Sequence, residues 1–272
     1  MNKIRLGLTE STLLFFFYLD KLQIDNSHYK ESQKSLINWL YTTSGFYDKN
    51  IQGSYFDFDT NAVKKSSTYH LYFTKLLDIV TTQKDTFIQI CFHHIDPRLQ
   101  SFKEAFLKLV DTKTPPTNLR QFMEGKHILI INNLGSLMKQ QYESGNIKKM
   151  NTEFPDTVKS IQYFENGYTF FNSGPDKSII ETAKKICDKI QNLSFDGAII
   201  SAGAYSSLLY DFIVKNMGKE AFIEGGGLPC YFGVITKRGT IFKNDKINQY
   251  WVKVPDHMKP ENYQKIEDGC YW

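Results

Sequence analysis

The sequence predicts an α/β fold built on a mostly parallel sheet, with helices on both faces and a helix-rich N-terminal half. Three observations lead there. Residues 87–92, 127–131 and 197–201 are short apolar runs flanked by polar turns, the pattern of strands covered on both faces. Between them run stripes at three- and four-residue spacing: Phe102, Ala105, Phe106 and Leu109; Ile179, Ala183, Ile186 and Ile190; Leu208, Leu209, Phe212 and Ile213. The composition, 41% hydrophobic and 23% charged over 272 residues, is that of a globular chain and excludes a disordered tail, a collagen or a coiled coil. Strands alternating with helices imply right-handed crossovers and parallel pairing.

Taken in order, Ile4 to Ser11 leads into a helix expected to begin near Thr12. The apolar run from Leu13 to Leu19 is too short to span a bilayer. Glu10 just ahead of it, and no small-residue cleavage site behind it, argue against a signal peptide. The strand at 87–92 is followed by His93-His94-Ile95-Asp96. Adjacent histidines on an extended chain point apart, and His94 and Asp96 share a face without a third ligand, so a metal is not expected there.

Residues 111–124 form the best boundary. Thr114-Pro115-Pro116-Thr117 cannot continue a helix, and Gly125 precedes the next strand. The boundary divides the chain into a helix-rich half, 1–124, and a Rossmann-like α/β half, 125–272. The second half alternates strands and helices to about residue 235, then turns polar and irregular from Thr236. The closing Tyr271-Trp272 pair is unfavourable in water, so the tail is expected to pack back on the body.

Charge and cysteines narrow the function classes. Lys and Arg number 33 against 29 Asp and Glu, a formal charge of +4, too small an excess to point to nucleic acid. Cys91, Cys187, Cys230 and Cys270 lie far apart with no CxxC pair. That is neither a zinc pattern nor a disulfide framework, and a reducing, cytoplasmic compartment is the simplest reading. Aromatic residues reach 15%, which suits a large core and a surface that stacks sugars or bases. No G-x-S-x-G, HExxH or Walker A pattern is present, which argues against the common hydrolases, zincins and P-loop NTPases.

Three segments carry candidate chemistry. In residues 195–207 an apolar strand runs into the small-residue loop Ser201-Ala202-Gly203-Ala204 and then into a helix. Ligands of open α/β sheets bind at the carboxyl ends of strands, and the free N–H groups opening the next helix favour an anion. Gly203 permits close backbone approach, and Ser201, Tyr205, Ser206 and Ser207 offer hydroxyls. A tight turn with a serine cap gives the same pattern. The next strand repeats the logic, ending at Glu224 and then Gly225, Gly226 and Gly227. Glu224 there can serve as base, metal ligand or hydroxyl acceptor, or simply as a solvated acid on a flexible loop. At the N-terminus Arg5 can grip a phosphate and Glu10 a metal or sugar hydroxyl, while a capped helix with an acid in its first turn explains the same residues.

These residues support a family resemblance. Arg5-Leu6-Gly7-Leu8-Thr9-Glu10-Ser11 is similar to the Arg-Phe-Gly-Asp-Gly-Glu segment that opens GT-D-type glycosyltransferases. The Ser201 to Tyr205 loop resembles their second signature, and Lys219 to Gly227 resembles the adjacent strand and Gly-rich turn. A related set of uncharacterised bacterial and viral proteins is similar at Gly125-Lys126, Gln140 to Glu143, Phe232-Gly233, Lys237-Arg238, Tyr250 to Val252 and the closing Gly269 to Trp272.

The resemblance implies transfer of a sugar from a nucleotide-sugar donor to a glycan or glycoconjugate acceptor, as in polysaccharide biosynthesis. In that family an Asp-x-Glu pair holds Mg²⁺ or Mn²⁺; the matching positions here are Leu8 and Glu10, so the Asp is gone. The metal is then held by Glu10 with the donor's phosphates, or replaced by Arg5 and helix N-termini, or activity is lost. The implied roles are donor or metal binding for Glu10 in its Gly7-containing segment, and phosphate contact for Arg5. Gly203, Ala204 and Tyr205 touch nucleotide or phosphate, and Gly225, Gly226 and Gly227 give backbone approach. Glu224 stands as base, and no nucleic-acid partner or membrane span is expected. The alternative is an inactive nucleotide- or glycan-binding protein of the same fold.

Overall fold

A computed structural model describes residues 2–51, 56–57, 62–63, 67–83, 86–110, 118–239 and 246–272. The first half carries β1 (Asn2–Arg5), α1 (Leu8–Lys21), α2 (Lys30–Thr43), a short hairpin β2 (Phe56–Asp57) and β3 (Ala62–Val63), α3 (Ser67–Thr82), β4 (Thr86–Gln89), α4 (Gln100–Val110) and α5 (Leu119–Met123). The second carries β5 (His127–Ile131), α6 (Gly135–Glu143), α7 (Ile147–Met150), β6 (Ser160–Phe164), α8 (Ile179–Ile190), β7 (Gly197–Ile200), α9 (Tyr205–Asp211), β8 (Glu220–Ile223), α10 (Leu228–Tyr231), β9 (Val234–Ile235) and β10 (Val252–Lys253).

One sheet of order β4-β1-β8-β7-β5-β6 organises the molecule, and every adjacent pair in it is parallel. The architecture is Rossmann-like. Side-chain alternation splits the core in two. Ile4, Leu129, Ile131, Ala198, Ile200, Ala221 and Ile223 face α1–α4, α8 and α9. Ile128, Ile130, Ile199 and Phe222 face α5, α6, α10 and the β9–β10 segment. Right-handed crossovers explain the division. The moves β1→β4, β6→β7 and β7→β8 run one way along the sheet and put their helices on one face. The move β5→β6 runs the other way and puts α6 opposite.

The structure differs from the sequence expectations at four places. First, the strand expected at 87–92 leaves the sheet after Gln89 and forms a half-exposed edge. Second, β1 was not among the expected strands. Asn-Lys-Ile-Arg offers one core residue, Ile4, while Lys3 lies 4.5 Å from the Phe222 ring centroid. Third, α1 begins at Leu8, not near Thr12, because Gly7 is its extended N-cap and Thr9, Ser11 and Thr12 are themselves buried. Fourth, in the α4 stripe Phe106 is buried and Phe102 half-buried, but Ala105 and Leu109 face out; Val110 completes the inner row.

Strands from both sides of residues 111–124 share the sheet, joined where Lys3 pairs with Phe222. The first part of that segment, 111–117 with Pro115 and Pro116, lies outside the described residues. The Arg238 and Lys237 N–H groups donate to the Cys270 and Trp272 carbonyls, which ties the C-terminal tail to the body. Among the described residues no helix is long and apolar enough to cross a membrane. All four cysteines are free.

Candidate functional site

All six parallel strands end at one cleft of about 720 Å³. Its walls come from the segments that follow each strand: Arg5 to Glu10 after β1, Cys91 and His93 after β4, Asn132 to Leu134 after β5, Asn166 to Phe170 after β6, Ser201 to Ser207 after β7, and Glu224 to Gly226 after β8. The tail residues Glu267, Asp268, Tyr271 and Trp272 close one side. A parallel sheet aims all its carboxyl ends the same way, which is why such clefts form there.

Arg5 and Glu10 sit at the β1–α1 junction. Glu10 belongs to the first turn of α1, whose Gly7 N-cap offers no side chain, and the carboxylate folds back over Gly7. Burial raises the Glu10 carboxyl above its ordinary value. Its own backbone N–H pulls it down, Glu267 raises it, and Arg5 lowers it. The half-buried Arg5 guanidinium occupies the space a Cβ would take at Gly225, so a side chain there would displace the Arg5 head group. Among the described residues Arg5 has no hydrogen-bond or ion-pair partner, which leaves its donors for a ligand.

The loop after β7 is braced from four directions. Asn132 Nδ2 donates to the Ser201 carbonyl at 2.8 Å, and Ser201 Oγ donates to the Gly225 carbonyl at 3.1 Å. Gly203 has φ +55°, and the Ala204 N–H donates to the Ser44 carbonyl at the end of α2, 2.9 Å away. Tyr72 from α3 donates to the Ala204 carbonyl at 3.1 Å. Ser206 Oγ accepts from the Ala202 N–H and so serves as a local turn brace. The Tyr205 hydroxyl lies among those of Thr169, Tyr47 and Thr182, and burial pushes its phenol well above the ordinary value.

The other expected residues divide. Gly7, Ser201, Gly203, Tyr205, Ser206, Glu224, Gly225 and Gly226 line the cleft, whereas Ala204 backs the loop and Gly227 stands in open solvent outside it. Glu224 lies on the lining with its carboxylate 3.5 Å from Lys3 Nζ. His93 also lines the cleft, but Asp96 is taken by Arg98, 2.6 Å away, and caps the turn after it.

Mg²⁺ or Mn²⁺ finds an incomplete donor set. Leu8 is 47% exposed at the cleft lip where the resemblance expects an acid, and Glu267 is the carboxylate that neighbours Glu10. No group of three or more His, Cys, Asp or Glu that could hold a metal occurs among the described residues. Hard cations take six or more oxygens, so these side chains do not form a self-sufficient cage.

Sequence reasoning missed the aromatic side of the cleft. Tyr168 and Phe170 stack with centroids 5.8 Å apart, and Trp272 stands edge-on to both. Trp272 Nε1 donates to the Tyr168 hydroxyl at 3.0 Å. Tyr271 donates to Glu267 Oε2 and accepts from Arg238 Nη1, which fixes the tail. Asn132-Asn133 directly after the 127–131 run was a readable signal for a strand-end site. The Tyr271-Trp272 pair signals that the tail packs back, but that it does so at the cleft is a tertiary contact with no local signature. Comparison with family models, with curated proteins and with solved structures gives no match.

Proposed function

We propose that this protein is a glycosyltransferase that moves a sugar from a nucleotide-sugar donor to a glycan or glycoconjugate acceptor. The observation that carries the reading is convergence: Arg5 to Glu10, Ser201 to Ser207 and Glu224 to Gly226, remote in sequence, line one cleft. Sugar transfer needs a place where negative charge grows on a leaving diphosphate, and an unpaired guanidinium beside a helix start supplies one. In the reaction the acceptor oxygen bonds to the anomeric carbon, the bond to the diphosphate breaks, and the acceptor proton goes to a base. Glu10, whose proton affinity is raised, suits that role better than Glu224, which is ion-paired to Lys3.

The test is release of nucleoside diphosphate from a panel of nucleotide sugars, with and without Mn²⁺. Release that disappears in Glu10→Ala supports transfer; a Glu10→Ala variant that turns over normally removes Glu10 from the chemistry. A second reading, a binding protein without turnover, is favoured by Leu8 at the position of the lost acid. Nucleotide binding without release in any condition selects it.

A further inference from the structure

We propose that the β5–β6 end of the cleft seats the nucleoside of the ligand, with Asn133 and Asn166 as its hydrogen-bond acceptors and Tyr168, Phe170 and Trp272 as the wall beside its base. The proposal rests on the reading above only in taking a nucleoside diphosphate as the ligand.

The first observation is a pair of orphaned oxygens. Asn133 Nδ2 and Asn166 Nδ2 both donate to one carbonyl, that of Gly167, at 3.0 and 3.2 Å. Both amides therefore turn their Oδ1 atoms the other way, and both Oδ1 atoms are buried with no donor among the described residues. Buried acceptors are almost always satisfied, and two of them on residues that line the cleft call for donors from outside the chain. Base N–H groups and ribose hydroxyls are such donors; phosphate oxygens are not.

The second observation is the wall. Tyr168, Phe170 and Trp272 all line this end, are half-buried and hold one another at ring distances of 5.7 to 5.9 Å. Tyr168 and Phe170 lie nearly parallel with Trp272 edge-on to both, and such ring faces and edges suit contact with a planar base. The charged group nearest in sequence does not compete: Glu165 Oε1 accepts from the Ser136 N–H and caps α6.

The third observation is polarity along the cleft. Arg5 and Glu10 follow β1, and Asn133 follows β5 three strands away. At the usual spacing that is about 14 Å. One end of the cleft carries charge and the other carries aromatic rings and amide acceptors. A bare phosphate satisfies only the first. An extended nucleoside diphosphate reaches both, with its phosphates over the Gly203 and Gly225 loops between them.

Titration calorimetry on the full chain tests this with five probes: UDP, GDP, ADP, CDP and inorganic pyrophosphate. At least one nucleoside diphosphate is expected to bind ten times or more tighter than pyrophosphate. Asn133→Ala and Asn166→Ala are each expected to weaken that nucleotide about tenfold and leave pyrophosphate affinity unchanged. Phe170→Leu keeps an apolar side chain and removes the ring; it is expected to weaken the nucleotide selectively even if the alanine variants do not fold. Pyrophosphate binding as tightly as every nucleotide overturns the nucleoside seat while leaving the phosphate site intact. Unchanged nucleotide affinity in the folded variants also overturns it, since the orphan oxygens then hold only water. Failure of all five probes overturns this proposal and the functional reading together.

Discussion

Gly203→Ala probes the joint between fold and site. Gly203 sits at φ +55°, where an L side chain costs about 1–2 kcal/mol. An added Cβ would stand 2.7 Å from the Ser44 carbonyl oxygen, a backbone atom that also accepts the Ala204 N–H. Relief of that contact means moving the loop off the α2 end, which forfeits a hydrogen bond contributing about 1 kcal/mol. The variant is therefore expected to lose about 2–3 kcal/mol. For a chain of this size that lowers the thermal midpoint by roughly 4–5 °C. Gly227→Ala is the matched control. Its φ is −83°, and a Cβ there meets nothing within 4 Å, so a change within about 0.5 kcal/mol is expected. Calorimetry on the two variants decides the matter. A Gly203→Ala midpoint within about 1 °C of the parent would refute the claim that the α2 end pins this loop.

Other consequences are equally concrete. Glu10 has a higher proton affinity folded than unfolded, so its charged form weakens the fold at neutral pH and the penalty fades as pH falls toward the unfolded value of about 4.3. Glu10→Gln is therefore expected to be more stable than the parent at about pH 7.5, with the gap closing near about pH 4.5, as read from urea midpoints. Arg5→Gln is expected to weaken pyrophosphate about tenfold in calorimetry. Gly225→Ala should reproduce that loss, because its Cβ claims the space of the Arg5 guanidinium; normal pyrophosphate affinity in Gly225→Ala would contradict the packing. Trp272→Ala is expected to cost about 1.5–3 kcal/mol in a urea titration, since the ring packs against Tyr168, Phe170, Tyr263 and Tyr271.

Much of the sheet could be read from the sequence where burial is two-sided. His127–Ile131 and Gly197–Ile200 are continuous apolar runs because β5 and β7 are inner strands, covered above and below. β1 is also an inner strand but was not legible. Its Lys3 ammonium sits over the Phe222 ring and beside Glu224, and its Arg5 guanidinium lies against Gly225 at the cleft, so in the sequence both look like surface residues. The Ser201 to Ser207 and Glu224 to Gly226 segments announced themselves as small-residue loops at strand ends. Asn166, Tyr168 and Trp272 did not, since each acquires its place only when β6 and the tail fold against the same opening. Ala204 and Gly227 belong to the right loops but turn away, a detail that loop composition alone does not encode.

Hydrogen-exchange mapping with and without a saturating nucleoside diphosphate addresses the central claim most directly. Amides of residues 5–10, 201–207 and 224–226 are expected to slow together, with 133 and 166–170 joining them when the ligand carries a base. Binding that protects one of these segments and leaves the others unchanged would contradict a shared cleft.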